Sequence, residues 1–574
     1  MRAQSMMQRE WALARRAPAE HLQRYRGFSP LLAQILYNRG FEEPDAAQDF
    51  ITGSDLSYDP FQLKDMEAAV GRISDAIAER EPIAVYGDFD ADGLCATALM
   101  AQALRALGAD VKPYIPDRAD EGYGLNRPAL EKLTQSGIKL VVTVDCGIRS
   151  IEEIAASGRA GLDIIVTDHH SIGPELPPAL AVINPQREDC AGEARMAGAG
   201  VAFMLAQALL LRRWEADRAN YPAELRLSDL LDLVALGTVA DVVPLNARLN
   251  RRLVKHGLKT INEARRPGIA AIVKVAGLRP GSVRARDIGF RLGPRINAAG
   301  RLGSAMTAYH LLTADSLEAA MPRAVELQAL NKQRQQETRR AQAAISEQIA
   351  PDEDCPLIFA GDENIQSGIV GLVAGRLTEA HYRPAVIFEI GEAQSRASCR
   401  SIPEFNITRA LDECADLLLR HGGHALAAGF TVQNSNIDRL RAELTRKAAA
   451  SLQGQKLMPR LQIDAEIQLD ELSDNLLREL EMLEPTGQQN DSATFMSRSL
   501  KVSRCRRVGG DGRHLKLKVA DQRGAQIDAI GFGLGDWASQ MPRKIDAAYK
   551  VEMNEWQGTR RLQLRLLDIR PAAV

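Results

Sequence analysis

From about residue 82 the chain alternates short apolar, β-branched runs with helical patterns. IAVYG precedes the amphipathic stretch GLCATALMAQALRALG, KLVVTVDCG precedes SIEEIAASG, and LDIIV leads into TDHH. Strands of this length interleaved with helices imply βαβ units and a mostly parallel sheet. In such sheets ligands sit beyond the carboxyl ends of the strands. This chain puts its charged residues there. Asp88, Asp90 and Asp92 follow the first strand in GDFDADG, Asp145 ends KLVVTVD, and Asp168, His169 and His170 close LDIIVT. Asp241 ends the helical run LLDLVALGTVAD.

Strand ends inside a fold are costly places for polar side chains that bind nothing. One aspartate after a strand is usually a cap or turn residue, but three successive strand ends and a helix end ask for another reason. The pattern D-x-D-x-D-G also opens an EF-hand loop. That reading fails, because Leu99 stands where the bidentate Glu belongs and a strand precedes the loop. Carboxylates crowded this closely repel one another unless a cation holds them. Oxygen ligands mixed with imidazole suit Mn²⁺ or Mg²⁺, and the lack of Cys ligands disfavours structural zinc. The set is large enough for two ions sharing a carboxylate, an arrangement suited to hydrolysing a phosphodiester.

At 574 residues the chain exceeds one hydrophobic core, and two to four domains are expected. No apolar run reaches membrane-spanning length, and MRAQSMMQREWALARR lacks the apolar region of a signal peptide. Seven scattered cysteines without a C-x-x-C argue for a reducing cytoplasm and against a disulfide framework. Net charge is −2, yet residues 499–574 hold 15 Lys/Arg against 8 Asp/Glu, an excess of +7. A basic end on an acidic body fits a negatively charged ligand, or a plain solvated face.

The first fifty residues carry little signal, and a helical cap on the first domain is expected of them. Residues 316–349 read as one long, mostly polar helix, with Pro322 tolerable only near its start, as in a strut between domains. A second α/β region follows over about 355–450, with PLIFA and RPAVIFEI as strands. From about 460 the pattern changes to period-two alternation (LKVSRCRRV, HLKLKVAD, AQIDAIGFG, YKVEMNEW, RLQLRLLDI) with turns GGDG, DQRG and WQGTR. These fit a small β-barrel of the OB type.

GDFDADG, VTVDCG, TDHH and GTVADVVPL resemble, in order and spacing, the DHH phosphoesterase superfamily. Within it the chain is most similar to the RecJ-type single-strand-specific exonucleases. EGYGLN, GAGVAF, GPRINAAGRLG, LNKQRQ, CRSIPEFNI and GGHALAAGF extend the resemblance to the second α/β region. It implies an α/β fold with a parallel-sheet DHH domain (51–310) behind a cap segment (1–50), a connecting helix (311–350), a second α/β, DHH-associated domain (351–455) and a C-terminal OB-fold barrel (456–574). It implies Asp90, Asp92, Asp145, His169 and Asp241 as metal ligands, with Asp145 bridging two Mn²⁺ or Mg²⁺ ions. Asp88 would be a ligand or a nearby base, and His170 would contact the scissile phosphate or orient the attacking water. Asp168 would buttress a histidine. Arg118, Ser398 and Arg400 resemble a pocket for a 5′-terminal phosphate. Arg295, Asn297 and Arg301 are candidates for the strand backbone, with interdomain ion pairs as the plain alternative. Gly422, Gly423 and His424 would approach the substrate, if they are not simply a glycine turn.

The activity implied is hydrolysis of single-stranded DNA in the 5′ to 3′ direction to 5′-mononucleotides, in recombination and repair, by a monomer away from membranes. A single-strand-binding protein or a repair helicase would be its protein partner. The alternatives are a phosphodiesterase of short oligoribonucleotides or cyclic dinucleotides, and a non-catalytic DNA-binding scaffold. The strut and barrel weigh against the first, and the intact ligand positions against the second. No G-x-x-x-x-G-K-[ST] supports ATP-driven unwinding. Two positions depart from the family pattern. Ile365 and Gln366 stand where it has Trp-His, and Pro485-Thr486-Gly487 where it has Pro-Phe-Gly.

Overall fold

A computed structural model describes residues 9–118, 120–191, 193, 195–216, 218, 225–349, 355–556 and 559–572. The chain divides into two units. The larger holds residues 54–455 and 487–489, and the smaller holds the remainder at both ends of the sequence. Strands are numbered along the chain from β1 (Glu10–Leu13), which belongs to the smaller unit.

The larger unit contains the expected parallel sheet: β2 (Ile83–Tyr86), β3 (Val111–Tyr114), β4 (Leu140–Val144), β5 (Asp163–Thr167) and β6 (Ala181–Ile183), in the order β3-β2-β4-β5-β6. Helices cover both faces, so β2 and β4 are buried throughout and read as unbroken apolar runs. The register pairs Tyr86 with Thr143 and Val144 with Thr167, which ends β2, β4 and β5 at one edge. The residues that follow these strands are therefore delivered side by side.

The long helix spans Leu317–Gln348, within a residue of the expected limits. Ser316 caps it by accepting the Ala319 N–H at 3.1 Å, and Pro322 falls near the start, where few hydrogen bonds are lost. Its buried side is a thin stripe that includes Ala320, Ala324, Leu327 and Ile345, which leaves the rest polar. It packs on the helices Gly293–Leu302 and Ser367–His381. Beyond it, β7 (Ile358–Asp362), β8 (Ala385–Glu389), β9 (Gln394–Arg400), β10 (Leu418–His424) and β11 (Ala427–Gln433) form a sheet ordered β10-β11-β9-β8-β7. Only β7 and β8 are parallel; the sequence reading had identified these two alone.

In the smaller unit β12 (Arg460–Ile463) pairs in parallel with β1. After the short β13 (Ala465–Glu466) come β14 (Phe495–Val508), β15 (His514–Ala520), β16 (Gln526–Gly531), β17 (Lys544–Trp556) and β18 (Thr559–Pro571). Their order β14-β15-β16-β18-β17 closes through β14–β17 pairing into a five-stranded barrel. Leu32, Ile35 and Leu36, from the helix Pro30–Asn38, share one core with Leu515, Leu517, Tyr549 and Leu564 of the barrel. The expected cap on the first domain is thus corrected: the N-terminal helices belong to the barrel unit. Periodicity shows which face of a helix is buried, but not what covers it. Among the described residues no helix is long and apolar enough to cross a membrane.

Candidate active site

Each acidic residue is held by its own backbone device. Asp90 caps the helix Ala91–Ala106, its Oδ1 accepting the N–H groups of Asp92 (2.9 Å) and Gly93 (3.1 Å). Asp92, in the first turn, accepts from Gly198 N (2.6 Å) and Ala199 N (3.0 Å) at the head of the helix Gly198–Ala216. Asp145 leaves β4 with φ 64°, left-handed backbone that a non-glycine residue adopts at a cost. Gly198 is obligatory beside it, since a Cβ there would lie 2.5 Å from the Asp145 Cβ. Asp168, wholly buried, accepts from the N–H groups of Ile148 (3.0 Å), His169 (2.7 Å) and His170 (3.0 Å), and from His170 Nδ1 at 2.8 Å.

These devices bring the strand ends together. His169 Nε2 lies 3.0 Å from Asp145 Oδ1, 3.6 Å from Asp241 Oδ2 and 3.9 Å from Asp92 Oδ2. Three overlapping sets have ligand atoms within 4.8 Å of one another: Asp92, His169 and Asp241; Asp145, His169 and His170; and Asp88, Asp90 and Asp145. Asp88 Oδ1, Asp145 Oδ1 and His169 Nε2 are buried with no hydrogen-bond partner. Orphaned polar atoms of this kind are costly, and each of the three belongs to at least one of the overlapping sets, where a divalent cation would satisfy it. The residues therefore fit a Mn²⁺ or Mg²⁺ site.

The electrostatics agree. Burial, then the charge of Asp90, pushes Asp88 up to about 8 and Asp92 up to about 7. Burial and Asp92 push Asp241 up to about 9, and burial with the surrounding aspartates raises Asp145 far above the usual carboxylate range. Burial and His170 hold His169 down at about 4, which leaves a neutral imidazole. Burial opposes a charge on His170, but the hydrogen bond and charge of Asp168 prevail and raise it to about 9. For Asp168 itself burial is likewise outweighed, by His170 and the N–H donors, and its pKa is lowered.

One side chain against the site is not legible from the sequence pattern. Tyr123 is 53% exposed, yet its hydroxyl lies 2.9 Å from His170 Nδ1 and donates to the Asp145 carbonyl at 3.3 Å. Its ring meets His170 edge-on at 5.4 Å. The nearest signal is EGYGLN, where Gly122 and Gly124 both take positive φ around the tyrosine.

Arg118, Ser398 and Arg400 come together in a cleft of about 280 Å³, joined by Arg301 and Arg396 and by the first turn of the helix Ser367–His381. Gly371 keeps that helix open: a Cβ there would lie 2.9 Å from Ser398 Oγ and 3.1 Å from Arg400 Nη2. Burial and the neighbouring Arg118 and Arg334 depress Arg301 to about 9, a mark of crowded positive charge. A helix N-terminus facing clustered arginines is an anion site.

The remaining expected residues sit elsewhere. Arg295 donates to Gln328 Oε1 at 2.6 Å and to the Arg291 carbonyl, so it ties its helix to the long one. Asn297 accepts the Ala91 N–H at 2.7 Å and secures the head of the helix behind Asp90. Gly422, Gly423 and His424 lie on the exposed edge strand β10, in neither the acidic sets nor the arginine cleft lining. On the barrel, Arg504 pairs across the ladder with Lys518, and Arg506 with Lys516. Like charges directly opposite destabilise a sheet unless a polyanion lies on them.

Three family signatures match the chain: the DHH family N-terminal domain over residues 82–238, the DHHA1 domain over 354–450 and the RecJ OB domain over 463–568. The single-stranded-DNA-specific exonuclease RecJ of Salmonella typhimurium is 36% identical over 593 aligned positions, covering 98% of this chain and 100% of that protein. RecJ of Thermus thermophilus, solved in complex with Mn²⁺, superposes with a TM-score of 0.84 at 30% identity, over 100% of this chain and 81% of that one. The same protein in complex with Mg²⁺ gives 0.79 at 29%, over 98% and 79%. Likeness sustained along the length of the sequence is kinship as well as shared fold, and the chain belongs to the RecJ family of single-stranded-DNA-specific exonucleases.

Proposed function

We propose that this protein is a divalent-metal-dependent exonuclease that degrades single-stranded DNA from its 5′ end to 5′-mononucleotides, in recombination and repair. The observation that carries the reading is the pairing, in one unit, of partnerless buried acidic and imidazole atoms with a cleft of crowded arginines. Asp90, Asp92, Asp145, His169 and Asp241 would hold the ions, with Asp88 a further ligand or a base, and the presence of Asp145 in two of the overlapping sets supports two ions. When bound, the ions lower the pKa of water and stabilise the leaving oxygen. Asp168 fixes His170, whose charge then faces the scissile phosphate. Arg118, Arg301, Ser398 and Arg400 hold the 5′-terminal phosphate, Arg guanidinium matching its oxygens in pairs. Gly422, Gly423 and His424 guide the strand, and Arg504, Arg506, Lys516 and Lys518 grip it on the barrel. The protein acts in the cytoplasm as a monomer, with a single-strand-binding protein or a repair helicase supplying its substrate.

An internally labelled oligonucleotide tests this with Mn²⁺ and with EDTA, beside a 3′-labelled copy, a blunt duplex and a diribonucleotide. Release of mononucleotides from the 5′ end of single strands only, and only with Mn²⁺, is the expected result. Cleavage of the diribonucleotide alone would reassign the protein to small substrates, and binding without cleavage would make it a scaffold.

A further inference from the structure

The one aromatic side chain in GDFDADG neither ligates nor caps. Phe89 lies between Asp88 and Asp90 and is 7% exposed. The Arg118 guanidinium rests over its ring, 4.7 Å from the centroid. Arg118 is also a wall of the arginine cleft, and it feels the charges of Asp88 and Asp90. The backbone of Phe89 is clamped from below. A Cβ on Gly300 would lie 2.5 Å from the Phe89 carbonyl oxygen, and Asn297 on the same helix accepts the Ala91 N–H. One turn on, Arg301 donates to the Gly368 carbonyl at 2.7 Å and lines the arginine cleft as well. Metal loop and cleft thus share two rigid connections: the Phe89 ring under Arg118, and the helix Gly293–Leu302.

We infer that Phe89 sets the register of the enzyme, holding the arginine that anchors the 5′-phosphate at a fixed distance from the carboxylates that flank it in sequence. The inference rests on the exonuclease reading above. A loop free to move against the cleft would still bind ions, but the anchored strand would present more than one phosphodiester to them. Phe89 is accordingly a positioning residue: its ring face steers Arg118, and its backbone places Asp88 and Asp90.

The test compares Phe89→Leu, which keeps apolar bulk without the ring face, with Phe89→Tyr, which keeps the face. Products from 5′-phosphorylated and 5′-hydroxyl oligonucleotides are resolved by length, and Mn²⁺ affinity is measured by calorimetry on the full chain. Phe89→Leu is expected to release di- and trinucleotides beside mononucleotides. Its preference for the 5′-phosphate should fall by about 5- to 30-fold, the span from an exposed to a desolvated cation–π interaction. Phe89→Tyr should keep the wild-type products, and Mn²⁺ affinity should hold in both. Mononucleotides alone from Phe89→Leu, with an unchanged preference, would overturn the inference. So would loss of Mn²⁺ affinity in both variants, which would make Phe89 mere support for the acidic loop. Should Phe89→Leu not fold, Arg118→Lys reads the same property, since lysine keeps the charge but not the planar face: longer products support the inference and mononucleotides alone overturn it. Failure of the wild-type protein on single-stranded DNA would instead bring down the exonuclease reading, and this inference with it.

Discussion

Asp145 combines a left-handed backbone, complete burial of its carboxylate and an oxygen with no partner. Asp145→Ala should abolish hydrolysis while single-stranded DNA binding stays within about threefold, since the arginine cleft is untouched; retained turnover would remove the assignment. Asp168 is different, because four donors already occupy it. Asp168→Asn should lower kcat about a hundredfold or more with little change in KM, by freeing His170; equal losses in kcat and metal affinity would instead make Asp168 a ligand. Asp88, Asp92 and Asp241, raised to about 8, 7 and 9, would ionise near 4 in the unfolded chain. Between those limits the metal-free folded protein retains protons that the unfolded chain has lost, so this contribution to stability falls as pH rises through about 9. Mn²⁺ replaces the protons. The gap in Tm between Mn²⁺ and EDTA samples should therefore widen from pH 5 to pH 9, and a constant gap would contradict the ion-free titration.

At the scale of elements, the sequence disclosed which residues end strands, because a parallel sheet buried on both faces writes each strand as an apolar run with a polar stop. Asp88, Asp145 and Asp168 were legible for that reason, and the register of β2, β4 and β5 made them neighbours. The arginine cleft was legible only in part. Ser398 and Arg400 stand on β9, but Arg301 enters from a helix nearly a hundred residues earlier, an approach that no local pattern encodes. The antiparallel strand β10 escaped for a related reason, since RHGGH has no alternation to betray a strand. Helix packing supplies a sharper test than strand ends do. Gly198→Ala would force a Cβ against Asp145, and should cost about 1–3 kcal/mol of stability and weaken Mn²⁺ binding; an unaffected protein would show that the helix Gly198–Ala216 can retreat.

For the molecule as a whole, the basic excess of residues 499–574 resolves into facing Arg/Lys pairs on the barrel. Replacing Arg504, Arg506, Lys516 and Lys518 by Gln should flatten the salt dependence of long-strand binding, by about 0.7 in log–log slope for each phosphate no longer neutralised; an unchanged slope would count against the barrel as a strand-binding module. This substitution is a cleaner probe than truncation near residue 455, because the N-terminal helices share the barrel core and truncation would leave Leu32, Ile35 and Leu36 bare. That shared core also places a demand on the order of synthesis. The helices are made first, but the strands that cover them emerge only after about 400 further residues, about 20–80 s later at ordinary elongation rates. Through that interval Leu32, Ile35 and Leu36 wait for the apolar surface that covers them, and exposed apolar surface of this kind invites aggregation. The barrel core closes late, once the strands β14 to β18 that cover the helix Pro30–Asn38 have been made.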